Sequence, residues 1–365
     1  MTRFARMQAA MIAAGIDVTV LVPGTNLRYL SGIGFSTKLR LTCMLIPQRG
    51  SAHMVLPTME APRAQAAAQF PLIVHPWDDG DGPAAALEAA FTALGSAPRT
   101  IAVEHTTMRV FELRAVESAV PQAHFVNADA IIGALRMQKA PDEQAAMRRA
   151  IDVAESTLAA TIAAIKIGMT ELEVAADWEQ RIRAAGSTPS FDIAVGSGPN
   201  GASPHHTNGD RTLQSGDLVV IDGGAIVDGY VSDITRTIGV GTLSARAQLV
   251  YQTVLAANEA GRSAAQQLGA TGDAVDRAAR AVIEAAGFGP FFIHRTGHGL
   301  GIDVHEPPFM VAGDTNPILD GMTFTVEPGI YLPGEFGVRI EDMVIRSGDG
   351  AQTMTSFPRT LQCIG

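Results

Sequence analysis

The sequence LVVIDGGAIVDGYVSDITRT, residues 218–237, predicts two neighbouring strands that each carry an acid. A β-branched run ends at Asp222 in a Gly-rich turn, and a second strand-like run follows Asp233. If the two runs pair as a hairpin, the acids face the same side and are close enough to share a cation. Taken alone, either acid is more typical of an ordinary turn, because Asp beside Gly is favoured there.

A second segment, EPGIYLPGEFGVRIE at residues 327–341, repeats this pattern. Glu327 and Glu341 flank its loop as the two Asp residues flank the first one. Taken singly, Glu327 before Pro-Gly could be an exposed turn acid, and Glu341 a solvated strand end. Four carboxylates without Lys partners would repel one another strongly if they were buried together. Bound cations are therefore the simplest explanation for the set.

His298 lies between these segments in HRTGHGLGIDVHEPP, residues 294–308. Its flanking glycines allow close approach of the backbone and leave the imidazole free to project, although a lone His beside Gly is more often structural. One nitrogen and four carboxylates suit Mn²⁺, Co²⁺, Fe²⁺ or Zn²⁺, and the absence of thiolates argues against a structural zinc site. Two such ions about 3.5 Å apart could hold a bridging hydroxide as a nucleophile.

An internal repeat supports a joint interpretation of these segments. Residues 165–186 align without a gap on residues 266–287, which matches Thr170 with Thr271. A strand that ends in an acid follows in each half, at 213–222 and 318–327. His205 and His305 also lie at about equivalent positions in the two halves. Chance similarity of Ala-rich helices is the alternative for the helices alone, and the matching strands argue against it. Two half-domains related by a pseudo-twofold axis would bring their acids face to face, and the two histidines, which are ambiguous singly, gain weight as a symmetric pair.

We expect two domains. Residues 1–135 alternate strand-like runs such as DVTVLV and TIAVEH with Ala-rich helical runs, which indicates a compact α/β domain. The boundary lies at RMQKAPDE, residues 136–143, because Pro followed by two acids is a helix-start signal. A helix with one apolar stripe begins at Pro141, and a second begins at Thr170 with Glu173 as the partner of a capping box. Residues 136–365 form the second domain.

Composition narrows the classes of partner and compartment. The 365 residues include 27 Lys and Arg against 37 Asp and Glu, and they form no basic stripe, so neither nucleic acid nor an anionic membrane is an expected partner. Cys43 and Cys363 form no C-x-x-C motif, which favours unpaired thiols in a reducing cytosol. The N-terminal residues indicate an amphipathic helix before a strand, not a signal peptide. No stretch approaches the roughly 20 apolar residues of a membrane span, so we expect a cytoplasmic protein.

Together the motifs resemble those of the pita-bread metallopeptidases. The resemblance rests on Asp222 and Asp233 in LVVIDGG…GYVSDITRT, His298 in HRTGHGLG, His305 in DVHEPP, Glu327 in FTVEPGIY and Glu341 in GVRIED. It is closest to the branch of prolidase (Xaa-Pro dipeptidase) and aminopeptidase P, and it covers the chain from about residue 138 to the end. NLRYLSG at 26–32 resembles more loosely the N-terminal domain that this branch shares with creatinase. The implied α/β (α+β) fold is a creatinase/prolidase-like domain over 1–135, followed by a pita-bread domain with a pseudo-twofold repeat over 136–365.

The resemblance also implies roles for single residues. The implied ligands of two divalent ions, with Mn²⁺ favoured, are Asp222 on one metal, Asp233 and Glu341 bridging both, and His298 with Glu327 on the second. His205 and His305 would contact the substrate carbonyl and the oxyanion, and Glu327 would pass a proton to the leaving nitrogen. Arg339 matches an Arg that the family places beside the metal centre and is implied as a substrate-binding residue, with an exposed strand Arg as the alternative. The implied enzyme is a homodimer that removes the residue before proline from dipeptides or short peptides.

Other functions stay open at this point. Creatinase shares the fold without metals, so a hydrolase of a small amide or guanidino compound is one alternative. A non-catalytic binding module that has lost ligands is another, and methionine aminopeptidases, which usually lack the N-terminal domain, are a third. The complete ligand set favours the metallopeptidase. Residues 306–326 contain no Arg, which some prolidases use there to bind a dipeptide carboxylate, so the sequence does not separate dipeptides from longer substrates.

Overall fold

The computed structural model describes residues 1–36, 39–348 and 350–365. The chain divides into two compact units, Met1–Arg136 and Met137–Gly365. Both units mix helices with strands, which confirms the predicted α/β class. Among the described residues, no helix is long and apolar enough to cross a membrane.

The N-terminal unit is built on one mixed sheet. Its helices are α1 (Arg3–Ala14), α2 (Thr25–Ser31), α3 (Ala61–Ala67), α4 (Ala84–Thr92), α5 (Val110–Ala119) and α6 (Asp129–Met137). Its strands are β1 (Val18–Leu21), β2 (Cys43–Pro47), β3 (Ala52–Pro57), β4 (Leu72–Trp77), β5 (Thr100–Val103) and β6 (His124–Asn127). They pair in the order β4-β3-β2-β1-β5-β6, and Leu87 and Val116 of α4 and α5 share an apolar cluster with Val20 of β1.

The C-terminal unit carries the acid-bearing motifs. Its helices are α7 (Pro141–Ala164), α8 (Glu171–Ala184), α9 (Ala245–Ala265) and α10 (Gly272–Ala285). Its first strands are β7 (Thr188–Pro189), β8 (Ala194–Ser197), β9 (Leu218–Gly223), β10 (Ala225–Val227), β11 (Tyr230–Val231) and β12 (Ile234–Val240). Later strands are β13 (Gly297–Gly299), β14 (Glu306–Met310), β15 (Thr323–Val326), β16 (Gly329–Leu332), β17 (Phe336–Arg339), β18 (Asp342–Ser347), β19 (Gly350–Thr353) and β20 (Cys363–Ile364).

The two predicted helix starts are confirmed. Helix α7 begins at Pro141, and α8 begins directly after Thr170, whose hydroxyl accepts from the Glu173 N–H at 3.1 Å. The Glu173 carboxylate accepts in turn from the Thr170 N–H at 2.8 Å, which completes the capping box. Trp178 of α8 is fully buried, and its indole N–H donates to Thr157 of α7 at 3.0 Å. These contacts fix α8 against α7 behind the first set of strands.

The internal repeat is visible in the backbone of this unit. Strands β8, β9 and β12 lie side by side in the first half, and β13, β15 and β18 lie side by side in the second half. All neighbours within these triplets pair antiparallel. Thr170 before α8 bridges to Thr212, and Thr271 before α10 bridges to Pro317 in the same manner. The predicted pairing of two half-domains is therefore confirmed.

The halves differ at the first residue of the matched helices. Glu171 begins α8, whereas Gly272 begins α10 at the corresponding position. A Cβ atom on Gly272 would lie 2.1 Å from the Phe309 carbonyl oxygen of β14. The backbone of β14 thus occupies the space that a side chain fills in the first half, so glycine is required there.

Candidate metal centre

Asp222 and Asp233 lie on neighbouring strands of the first half. Strands β9 and β12 pair antiparallel, with Asp222 opposite Thr235, and Asp233 directly precedes β12. This confirms the predicted pairing, while β10 and β11 form a separate small hairpin in the connection. Asp233 is buried and Asp222 is half-buried. The two acids are therefore held by the sheet and not by a loose turn.

Glu327 and Glu341 are placed in the same way in the second half. Val326 at the end of β15 pairs with Asp342 at the start of β18, so the two Glu residues flank this pair. The hairpin of β16 and β17 fills the connection. Thr235 Oγ1 donates to Glu341 Oε2 at 2.6 Å, and the Glu341 N–H donates to the Thr235 carbonyl at 3.1 Å. These bonds join the acids of the two halves.

His298 lies in the middle of β13, between β14 and β15. A Cβ atom on Gly297 would lie 1.9 Å from the Thr325 carbonyl oxygen, and one on Gly299 would lie 2.3 Å from the Pro307 carbonyl oxygen. Glycine on both sides therefore lets β13 fit between its neighbours. The His298 Nδ1–H donates to the Gly299 carbonyl at 3.1 Å, which leaves Nε2 facing the acids.

The predicted site residues meet in one place. His298 Nε2 is 3.2 Å from Glu327 Oε1 and 3.7 Å from Asp233 Oδ2. Ligand atoms of Asp233, His298 and Glu341 all lie within 4.8 Å of one another. A cavity of about 420 Å³ is lined by the eight predicted residues Asp222, Asp233, Glu327, Glu341, His298, His205, His305 and Arg339.

The buried carboxyl groups of Asp233, Glu327 and Glu341 do not ionise alike. Burial, and after it the charge of Asp222, raises the pKa of Asp233 well above its usual range, and burial with the charge of Asp233 does the same to Glu341. Burial also opposes ionisation of Glu327, but the hydrogen bond and charge of His298 lower its pKa to about 2. Burial opposes the imidazolium of His298, yet the hydrogen bond and charge of Glu327 raise its pKa to about 8. Additional positive charge is needed to ionise the whole set near neutral pH.

Two carboxylate oxygens of the centre are buried without a hydrogen-bond donor among the described residues. They are Asp222 Oδ1 and Glu341 Oε1. Buried polar atoms almost always have a partner, so these oxygens mark positions for a group that accepts lone pairs. Four carboxylates and one imidazole nitrogen also form a donor set typical of Mn²⁺, Co²⁺, Fe²⁺ or Zn²⁺. The residues present therefore fit divalent metal ions.

Arg339 is buried, which excludes the alternative of an exposed strand Arg. Its guanidinium donates to Asp222 Oδ2 at 2.6 Å and to the Tyr331 hydroxyl at 3.0 Å. His294 Nδ1 donates to a backbone carbonyl, so its Nε2 accepts from the Tyr331 O–H at 2.9 Å. A chain of hydrogen bonds thus runs from Asp222 to His294. Neither His294 nor Tyr331 is predictable from its motif, because the sequence does not show that the two segments meet.

His205 and His305 are exposed and line the same cavity. The His305 ring contacts that of His298, with centroids 4.1 Å apart and planes tilted by 55°. Partial desolvation, followed by the positive charges of His298 and Arg295, lowers the pKa of His305 to about 4. His305 is therefore neutral near pH 7, and a neutral imidazole offers one N–H donor to a substrate oxygen.

A buried carboxylate supports the loop that carries His205. Glu171 at the start of α8 is fully buried, and its two oxygens bind the Ser197 N–H and hydroxyl, the Asn200 amide, His206 Nε2 and the Gly209 N–H. An acid in the first turn of a helix is usually explained by the helix dipole, so this second role is not readable from the sequence.

A buried ion pair lies beside His305. Lys139 Nζ donates to Glu306 Oε1 at 2.5 Å, and both side chains are nearly inaccessible to solvent. Glu306 directly follows His305 and begins β14. A Cβ atom on Gly301 would lie 2.7 Å from the Lys139 side chain, so the pair also fills the space under the 300–305 loop. The backbone next to His305 is therefore fixed from one side.

Comparison with protein families gives two matches. A model of metallopeptidase family M24 matches residues 145–346, and a model of the creatinase/prolidase N-terminal domain matches residues 3–138. Over 364 residues the chain is 39% identical to a protein named "Probable dipeptidase PepE" from Mycobacterium tuberculosis. That match covers 98% of this chain and 95% of the relative.

Solved structures resemble the chain over its whole length. A dipeptidase from Pyrococcus horikoshii OT3 superposes with a TM-score of 0.93 at 36% identity and covers 100% of both chains. A recombinant prolidase from Thermococcus sibiricus superposes with a TM-score of 0.92 at 34% identity and covers 99% of this chain and 98% of its own.

Proposed function

Because the chain belongs to metallopeptidase family M24, we propose that it is a dinuclear metal-dependent exopeptidase that hydrolyses the Xaa-Pro bond at the N-terminus of dipeptides or short peptides. The observation that carries the proposal is the single cavity that gathers five metal-ligand side chains with His205, His305 and Arg339. The names dipeptidase and prolidase of the similar proteins support the substrate class.

The proposed ligands of two divalent ions, with Mn²⁺ favoured, are Asp222, Asp233, His298, Glu327 and Glu341. When bound there, such ions supply Lewis acidity, which makes a water molecule nucleophilic near neutral pH. The identity and number of the ions stay predictions, as do the homodimer and the cytoplasmic location.

Glu327 is placed to move the proton of the reaction. Its Oε1 accepts from the Thr325 hydroxyl at 3.0 Å and lies 3.2 Å from His298 Nε2. Its lowered pKa keeps the carboxylate ionised, because the hydrogen bond and charge of His298 outweigh its burial. An ionised carboxylate on the cavity wall can accept a proton from the attacking water and deliver it to the leaving nitrogen.

His205 and His305 act on the other side of the scissile bond. Both line the cavity, and the neutral His305 can donate a ring N–H to the carbonyl oxygen of the substrate. Negative charge develops on this oxygen when the carbonyl is attacked, so a donor positioned beforehand stabilises the transition state more than the ground state. Arg339 lines the same cavity, but its guanidinium is engaged with Asp222 and Tyr331 and acts by holding Asp222.

Preference for proline follows from the leaving group. The imide nitrogen before a proline ring has no hydrogen, so a peptidase that must bind the scissile N–H cannot use this bond. The proposed mechanism needs no such donor, because His205 and His305 contact the carbonyl and Glu327 protonates the departing nitrogen. A Xaa-Pro bond is therefore a suitable substrate for this cavity.

The test compares kcat/KM for Ala-Pro, Met-Pro and Ala-Leu with saturating Mn²⁺. We expect both proline peptides to be cleaved at least about 100-fold better than Ala-Leu, a difference of about 2.7 kcal/mol in transition-state binding. Equal values for Ala-Pro and Ala-Leu would leave a general metallopeptidase. Turnover of creatine without turnover of any peptide would favour the creatinase-like alternative.

A further inference from the structure

The cavity of the metal centre contains a cationic side chain that the proposed mechanism does not use. Arg339 and Arg295 are the arginines that line it. Arg339 is engaged by Asp222 and Tyr331. Among the described residues, none accepts a hydrogen bond from the guanidinium of Arg295, and none forms an ion pair with it. Arg295 therefore brings free donors and a full positive charge to the cavity.

The backbone around Arg295 is fixed from both sides. Asp276 of α10 accepts from the Thr296 N–H at 3.1 Å and from the Thr296 hydroxyl at 2.8 Å. Arg280, one helical turn later, donates to the His294 carbonyl at 2.9 Å. His294 Nδ1 donates to the Arg295 carbonyl at 2.7 Å. The residues before and after Arg295 are thus anchored to the same helix and to each other.

The side chain of Arg295 is oriented by an aromatic ring. Its guanidinium carbon lies 4.5 Å from the centroid of the Phe309 ring in β14. A cation over a ring face is attracted by the ring quadrupole, and this contact leaves the N–H groups at the edge of the guanidinium available. Arg295 is half-buried and lines the same cavity as His305.

We propose that Arg295 binds the C-terminal carboxylate of a dipeptide substrate and makes the enzyme selective for dipeptides over longer peptides. This inference rests on the proposed function. In a dipeptide the carboxylate belongs to the residue directly after the scissile bond, so it lies close to the carbonyl that His305 contacts. A guanidinium matches a carboxylate through two parallel N–H···O bonds.

The charge of the cavity supports this assignment. Five carboxylates line it, from Asp192, Asp222, Asp233, Glu327 and Glu341. Four of them are the proposed metal ligands, so divalent ions would neutralise their charge but would leave no specific contact for the far end of the substrate. Arg295 supplies that contact. A tripeptide would place a neutral amide at this position, where the guanidinium finds a weaker acceptor.

The experiment uses the full chain with saturating Mn²⁺ and three substrates, Ala-Pro, Ala-Pro amide and Ala-Pro-Ala. For the wild type we expect kcat/KM for Ala-Pro to exceed that for the amide and the tripeptide by about 10- to 100-fold, as for one charge-assisted bidentate contact. Arg295→Gln should lose this factor for Ala-Pro, mainly through KM, and should leave the amide within about twofold. Arg295→Lys should retain part of the preference, because it keeps the charge but not the fork.

Arg277→Gln is the matched control, since Arg277 lies on α10 with an exposed side chain and pairs with Asp273 away from the cavity. It should leave all three values unchanged. If the wild type cleaves Ala-Pro and its amide equally, or if Arg295→Gln lowers both by the same factor, the carboxylate role is overturned while the proposed function stands.

Calorimetric titration with L-proline and L-prolinamide provides a readout that does not need turnover. We expect the wild type to bind proline more tightly than prolinamide, and Arg295→Gln to bind both equally. If no Xaa-Pro substrate is cleaved, the proposed function fails, and this binding difference alone supports or overturns the role of Arg295.

Discussion

The buried carboxylate of Glu341 has one oxygen that accepts a hydrogen bond and one that does not. Thr235 donates to Oε2, whereas Oε1 has no donor among the residues that the structure describes. Burial and the charge of Asp233 raise the pKa of Glu341 well above its usual range. A divalent ion at Oε1 would remove both penalties, because it compensates the charge and fills the open coordination direction.

We predict that Glu341→Ala reduces turnover of Ala-Pro at least about 1000-fold and leaves the fold intact. The carboxylate lines the cavity and lies outside the apolar clusters of the unit, so its loss opens no hydrophobic core. Turnover with Mn²⁺ and the far-ultraviolet circular dichroism spectrum measure the two parts. The matched control is Glu335→Ala, which removes an exposed acid in the connection between β16 and β17. Turnover of Glu341→Ala within a few-fold of the wild type would contradict the assignment.

The site residues that can be predicted from the sequence are those that belong to a recognisable motif or to the internal repeat. The four acids at strand ends and the Gly-flanked His298 could be inferred because turns, repeats and donor chemistry all leave traces in the sequence. No such sequence pattern indicates a role for Arg295 or Tyr331, although both lie inside the motifs. Their roles depend on contacts between segments, with Phe309 for one and His294 for the other, and such contacts are tertiary.

Helices and strands differ in how clearly the sequence predicts them. Helices α7 and α8 are predicted correctly because a proline, two acids and a capping box mark their starts. Strands β4 and β6 are harder to predict, since they form the two edges of the N-terminal sheet and their residues are largely half-buried or exposed. Edge strands need fewer apolar residues, and β4 also contains a proline, which is tolerated at an edge.

Helix α8 contributes the buried carboxylate of Glu171 to the site. This carboxylate binds donors from β8, the following turn and the loop that carries His205. We predict that Glu171→Gln destabilises the fold by about 1–3 kcal/mol, because an amide presents two donors where only acceptors fit. It should also lower kcat/KM for Ala-Pro about tenfold without changing the metal content, since no proposed ligand is touched.

Urea unfolding, steady-state kinetics and metal analysis of the same preparation test this expectation. Glu173→Gln is the matched control, because Glu173 lies in the same turn of α8 but serves the exposed capping box. An unchanged kcat/KM for Glu171→Gln would show that the His205 loop does not depend on its anchor.

At the scale of the whole molecule, metal ions bound at this centre would couple binding to the stability of the fold. Each half of the C-terminal unit contributes two of the four acids, and they gain a common partner only when cations are bound. A ligand that binds the folded state alone stabilises it by about 2.7 kcal/mol at 100 times its Kd. Metal loading should therefore hold the two halves together more strongly than their apolar clusters alone.

We predict that 1 mM Mn²⁺ raises the thermal unfolding midpoint by about 5–10 °C relative to protein in excess chelator, from that free energy and the usual scaling for a unit of this size. Differential scanning calorimetry measures the shift. Glu341→Ala should show less than half of it, whereas Glu335→Ala should show all of it. Identical midpoints with Mn²⁺ and with chelator would refute a metal site of useful affinity.

Glu171 and Gly272 occupy matched positions in the two halves, and neither residue can take the place of the other. A glutamate at Gly272, as the first half has at Glu171, would be driven into the Phe309 carbonyl, where even a methyl group is too close. A glycine at Glu171, as the second half has at Gly272, would remove the carboxylate that binds the His205 loop. If a duplicated gene gave rise to this unit, each half has since gained a residue that the other half does not tolerate at the matched position, so a single substitution cannot make these two positions alike.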